Sequence, residues 1–194
     1  MLKNAFLILL VLCISIIGGG VSVWYALKAN EGIGAVVIGQ WTAFPDVGTP
    51  DADPYSKARA SREGLLVLGR AEGLSFTALA DADGARLKRQ CSYRIEGPMP
   101  AARFWTLYAA DREGSVIHGG ERRLAALHSY QLLRHSDNKI MISAGAHPAP
   151  GNWLAIAGTG PMSLVLTFFD TPITAGSGAS DIVLPSIAKV DCDD

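Results

Sequence analysis

Leu74-Ser75-Phe76-Thr77-Ala78-Leu79-Ala80, broken by Asp81-Ala82-Asp83-Gly84 and resumed from Leu87 to Ile95, is the stretch whose reading decides the fold. Helical periodicity is poor there, and an Asp-rich tetrapeptide closed by Gly is what a hairpin loop prefers. The cadence continues downstream in the apolar runs Phe104 to Ala109, Ile140 to Ala144, Met162 to Phe169 and Ile182 to Val190, with a second such turn at Asp111-Arg112-Glu113-Gly114. Short strands divided by turn signals at this spacing predict a mainly β fold, a sandwich or barrel.

Upstream the pattern changes. Asp53-Pro54, followed by Tyr55 to Glu63 and then Gly64, carries the signals of a helix: Asp as N-cap, Pro at the first helical position and Gly just past the end. Phe44 to Asp51 combines Pro, Gly and Asp as an irregular linker does, and Ile33 to Trp41 is an apolar, β-branched run expected to form a first strand or a juxtamembrane segment. Leu124 to Arg134 fits a short helix or an extended crossover equally, Gly176-Ser177-Gly178 suits a flexible loop, and no internal repeat stands out.

From Asn4 to Leu27 there is no charged side chain. A helix of that length covers roughly 36 Å, enough for a hydrocarbon core of about 30 Å. Trp24 and Tyr25 beside Lys28 resemble an interfacial belt, which favours an uncleaved anchor (transmembrane about 5–27) over a signal peptide, for which Gly20-Val21-Ser22 is the one passable exit. Cys13 lies mid-core behind bulky residues and suits a buried apolar position better than a lipoprotein site, whereas Gly18, Ser22 and Ala26 recur every four residues, as in helices that self-associate. The division expected is an anchor over residues 1–29 and one folded domain over 30–194.

The chain carries 17 basic and 18 acidic residues for a net charge of −1, with the basic ones scattered, so nucleic acid is not an expected partner. Apart from Cys13 the cysteines are Cys91 and Cys192, without a C-x-x-C pattern. Two free thiols are one reading; behind an export-type segment a disulfide is the other and the favoured one, closing a loop worth up to about 4.7 kcal/mol in the chain-entropy model. Bridge and anchor together place the chain in the inner membrane as a single-pass protein with its C-terminal domain in the periplasm.

The strings Asp53-Pro54-Tyr55-Ser56-Lys57-Ala58-Arg59, Gly69 to Phe76, Asp81-Ala82-Asp83-Gly84, Cys91 to Gly97, Ala102 to Leu107, Pro150 to Leu154 and, most specifically, Gly151-Asn152-Trp153-Leu154 followed by Gly160-Pro161-Met162-Ser163-Leu164 resemble the bacterial domain-of-unknown-function family 1214. The resemblance runs roughly from Trp41 to Cys192. It implies an antiparallel, jelly-roll-like β-sandwich with one short helix, in an envelope protein of Gram-negative bacteria, and a partner from the companion family 1254; it brings no activity with it. Phe104 stands where the family often has a second Trp.

Motifs of known chemistry are missing: there is no G-x-S-x-G, no P-loop or dinucleotide fingerprint, and no histidine pair at ligand spacing among His118, His128, His135 and His147. His118 and Glu121 could share a ligand only on a helix, which Gly119-Gly120 disfavours, and Asp81-x-Asp83-Gly84 places its Gly too early for a calcium loop, with Ser92 where the closing Glu belongs. No metal and no cofactor are expected. Trp105, Asn152 and Trp153 could form a ligand platform, with core packing and loop fixing as the competing reading, and Tyr55, Arg59 and Arg62 share a helix face able to hold an anion or to sit solvated. The function expected is a non-catalytic binding module for a partner protein or an envelope glycan or lipid; the alternative is a periplasmic, hydrolase-like enzyme with dispersed acidic residues.

Overall fold

The computed structural model describes residues 2–28, 34–63, 67–69, 71–120, 123–133, 139–174 and 182–192. Gly64, Glu121, Arg134, His135 and the Gly176–Gly178 loop lie outside them, as does the side chain of Arg59.

Helix α1 (Leu2–Lys28) is followed by a hairpin of β1 (Val36–Ile38) and β2 (Trp41–Ala43), helix α2 (Pro54–Glu63), and strands β3 (Gly73–Ala78), β4 (Cys91–Pro98), β5 (Phe104–Ala110), β6 (Ala126–His128), β7 (Lys139–Gly145), β8 (Asn152–Ala155), β9 (Ser163–Phe169) and β10 (Ser186–Cys192). Six strands form one sheet in the order β1-β2-β3-β9-β5-β6, and four form the other in the order β10-β4-β7-β8.

The two sheets enclose one core. Alternation along each strand sends Leu74, Phe76 and Ala78 of β3, Leu164, Leu166 and Phe168 of β9, and Trp105, Leu107 and Ala109 of β5 inward, where they join Tyr93, Ile95, Ile140 and Ile142 of the second sheet in a single apolar cluster. Each of the larger side chains contributes about 1.5–3 kcal/mol by leaving water. Trp41 is fully buried, and its indole N–H donates to the carbonyl of Pro185, 2.8 Å away, just ahead of β10. That bond ties the first sheet to the second.

The helix and the hairpin turns form as their residues dictate. Asp53 Oδ1 accepts from the backbone N–H of Tyr55 and of Ser56, which is an N-cap. At Asp81 the carboxylate accepts from the N–H of Asp83 and Ala85, Gly84 takes φ 79° and its N–H donates to the Asp81 carbonyl. The Asp111 turn repeats this bond for bond with Glu113, Ser115 and Gly114 at φ 84°. The two turns lie thirty positions apart on β3 and β5, the two strands flanking β9, so the first sheet contains a repeated hairpin module that composition does not reveal.

Several expectations need correction. Within the apolar run Ile33 to Trp41, of which Ile33 lies outside the described residues, the expected first strand is β1 alone, because Gly39 at φ 59° turns the chain back so that Trp41 opens β2. The segment 87–90 is not strand; β4 starts at Cys91, after Leu87, Lys88 and Arg89 have bonded to the 160–162 loop and to Leu79. The last strand starts only after Pro185, which has no N–H to give a ladder, and the ambiguous segment 124–134 supplies the short strand β6.

The sheets are also not antiparallel throughout. β8 runs parallel to β7, with Ile142 opposite Asn152 and Gly145 opposite Ala155. Parallel neighbours normally need a long crossover, but an overlap of this length asks the connection 146–151 to climb back only about 10 Å, well within the reach of an extended chain.

Cys192 stands directly opposite Cys91 in the β10–β4 ladder, and the two form a disulfide. It attaches the final described strand to the neighbouring β4. In α1, the described side chains from Lys3 to Tyr25 are all exposed, and that span is apolar and long enough to cross a bilayer. Such a helix is compatible with a membrane anchor, as it is with a signal sequence.

Candidate functional site

The residues expected to form a ligand platform are dispersed. Trp105 is 2% exposed and faces the core from β5, so its ring is occupied by packing. Asn152, on β8, donates from Nδ2 to the carbonyls of Leu133 and Met141 and accepts at Oδ1 from the Leu133 N–H, which pins the 129–133 segment to the second sheet. Trp153 points away from the core; its Nε1 donates to the Gly145 carbonyl and the guanidinium of Arg123 stacks 4.5 Å from its ring centre. On α2, Tyr55 is exposed and Arg62 is exposed and engaged; the side chain of Arg59 is outside the described residues. Trp105 thus lies on the first sheet, Asn152 and Trp153 on the second, and Tyr55 and Arg62 on α2.

Acidic side chains line a hollow beside α2. A hollow of about 190 Å³ between the 44–53 linker and α2 is lined by Asp46, Asp51, Asp53 and Ser56 with Gly34, Phe44, Val47 and Ala52. Asp53 is committed there to capping α2.

The outer face of the six-stranded sheet is different in kind. Because Leu74, Phe76, Leu164, Leu166, Phe168, Trp105, Leu107 and Leu127 are turned into the core, their strand neighbours point out. The ladders align those neighbours in rows that cross the strands. One row is Ser75, Thr167, Thr106 and His128, each opposite the next across β3, β9, β5 and β6. Ser75 Oγ and Thr167 Oγ1 are 2.8 Å apart and hydrogen-bonded. His128 closes the row with a buried Nδ1 that has no hydrogen-bond partner.

On one side of this polar row runs an aromatic one. Phe169 and Phe104 are paired across β9 and β5 with ring centres 5.8 Å apart, and Phe104 also contacts Tyr130 at 5.6 Å and His128 at 5.7 Å, the rings tilted by 31 to 41°. The tilts form a shallow arc, and Tyr130, 75% exposed, ends it with its hydroxyl donating to the Arg103 carbonyl. On the other side Thr42, Thr77, Val165, Tyr108 and Ala126 face each other across five strands. Burial pushes the Tyr108 phenol above its ordinary pKa of 10.0, so it stays a neutral hydroxyl.

No Lys, Arg, Asp or Glu projects from the described strands of this face. The outer face of the four-stranded sheet carries Arg94, Glu96 and Lys139, as an ordinary solvated face does. Arg103 and Asp170 adjoin Phe104 and Phe169 at the ends of β5 and β9, exposed and paired at 3.7 Å, so they offset each other. Sequence reasoning missed this surface. Its signal was present in the alternation of Phe104, Thr106 and Tyr108 with Trp105, Leu107 and Ala109, an outward set without charge.

Comparison with known proteins locates the fold without an activity. The family described as "Protein of unknown function (DUF1214)" matches residues 72–173, just over half of the chain. The crystal structure of the VPA0106 protein from Vibrio parahaemolyticus is similar at a TM-score of 0.58 and 17% identity over 73% of this chain and 36% of that one. That of an uncharacterised protein from Burkholderia cenocepacia aligns at a TM-score of 0.43 and 17% identity over 75% of this chain and 45% of that one. The chain thus spans less than half the length of either solved neighbour. No curated protein matches it.

Proposed function

This chain belongs to the DUF1214 family of proteins of unknown function, and from that premise we propose that it is a non-catalytic binding module of the Gram-negative cell envelope. α1 holds it in the inner membrane, the sandwich stands in the periplasm, and the outer face of the six-stranded sheet does the binding. The observation that carries this reading is that face: uncharged across its described strands, with an arc of aromatic rings beside a row of hydroxyls. An occupied face excludes charge, since a buried unpaired charge is costly, and the described strands of this one carry none. The Cys91–Cys192 disulfide supports the oxidising side of the membrane. The enzyme alternative would rest on the acidic hollow beside α2, and the capping duty of Asp53 leaves it less supported.

The test is photo-crosslinking in cells. A photoreactive residue placed at Thr106 in the full anchored chain should give a discrete adduct, and the same residue at Arg94 on the opposite sheet should give none. Identical patterns from the two positions would overturn the assignment of the face.

A further inference from the structure

Resting on the binding-module reading, we infer that the occupant of this face is an uncharged polysaccharide chain, lying along the row from Ser75 to His128. The relief of the surface gives the direction. Ser and Thr side chains are short, and on β9 and β5 they lie between Phe169 and Phe104 on one side and Val165 and Tyr108 on the other. The polar row thus crosses four strands and is flanked by large side chains on the central two, where Thr167 is packed to 6% exposure.

A single extended chain can lie along such a row, and its chemistry is set by the side chains beside it. Aromatic faces stack on the C–H face of a pyranose ring, and the exposed Ser75 hydroxyl, already bonded to Thr167, can still exchange hydrogen bonds with the sugar's own hydroxyls. A neutral ligand is required by the charge pattern. The phosphates of lipid headgroups and nucleic acids call for Arg or Lys, and an acidic polysaccharide does too; the described strands of this face supply neither, and Arg103 beside them is paired with Asp170. A globular protein partner would bury an apolar centre ringed by polar groups, whereas here the polar row is central and the aromatic row flanks it. Hydroxyls at the centre suit a ligand that itself carries hydroxyls throughout.

The experiment uses the full chain in detergent micelles and isothermal titration. Probes are neutral hexasaccharides of β-1,3-linked glucose, β-1,4-linked glucose, mannose and β-1,4-linked N-acetylglucosamine, with a hexameric polyuronate as the charged comparison. At least one neutral probe should bind and the polyuronate should not. Thr106→Arg and Phe104→Ala should each weaken that binding tenfold or more, and Arg94→Glu should leave it unchanged; circular dichroism of each variant confirms that the sandwich is folded. Absence of binding by every neutral probe, or binding indifferent to Thr106→Arg, overturns the ligand class. So does a Thr106-dependent dimer of the purified chain, which would make a second copy the occupant. If the crosslinker at Thr106 still traps a protein while no saccharide binds, the ligand class is wrong and the binding face stands; if neither occurs, both readings fall.

Discussion

Two tyrosines show how single residues set the conditions under which this sandwich is stable. The Tyr93 phenol is raised above its ordinary value of 10.0, first by burial and also by the nearby Asp81 carboxylate, against a lowering contribution from the Lys88 backbone N–H that donates to it at 2.8 Å. Tyr108 is raised by burial alone. A group whose folded pKa exceeds its unfolded one holds its proton more tightly when folded, so its contribution is complete below the unfolded value near pH 10 and is lost as pH rises through the folded value. Stability should therefore fall on the alkaline side above about pH 10. Tyr108→Phe and Tyr93→Phe should each flatten that fall, measured by urea unfolding across pH 9 to 11.5, and Tyr93→Phe alone should cost about 1 kcal/mol at neutral pH because Lys88 loses its acceptor. An alkaline limb of the same steepness in both variants would contradict the burial account.

At the scale of elements, the twin turns are the clearest case of sequence acting locally. Asp81 and Asp111 make the same bonds, but the Asp81 carboxylate is 2% exposed in a turn that is also tied to β10 through the Ala82 N–H and the Ile187 carbonyl, 2.8 Å apart. Asp81→Ala should cost about 1–3 kcal/mol and Asp111→Ala about 0.5–1.5, with Asn at either position recovering much of the loss through its side-chain carbonyl. Equal denaturation midpoints for the two Ala variants would show that the link to β10 adds nothing. These turns, the Asp53 cap and the opposition of Cys91 to Cys192 were legible in the chain because each depends on neighbouring residues or on a residue type present as a pair. β8 was not, because four residues after a Pro- and Gly-bearing loop carry too little pattern to distinguish a strand from a loop. The Ser75–His128 row was hidden for another reason. It exists only through the placement of β9 between β3 and β5, a pairing of segments distant in sequence that no local periodicity encodes. Trp105 was legible in principle, since its alternation with Thr106 and Phe104 assigns it to the core.

On the proposed reading of α1 as an anchor, the question for the whole molecule is which side of the membrane the sandwich occupies, and the charges flanking α1 barely bias it: Lys3 precedes the apolar run, Lys28 and nearby Glu31 follow it. The covalent chemistry biases it more. A bridge across a sequence separation of 101 lowers the entropy of the unfolded chain by an amount worth about 4.7 kcal/mol, and it forms durably only where thiols are oxidised. Orientation and stability are thus coupled, because a sandwich held on the cytoplasmic side would lose the bridge together with its location. In Gram-negative cells expressing the full chain, protease added to intact spheroplasts should digest the sandwich, and alkylation of acid-quenched, unfolded protein should find Cys91 and Cys192 both blocked. Protection from protease until the inner membrane is broken, together with free thiols, would reverse the orientation. Digestion with both thiols free would keep the orientation and remove the bridge from its stability.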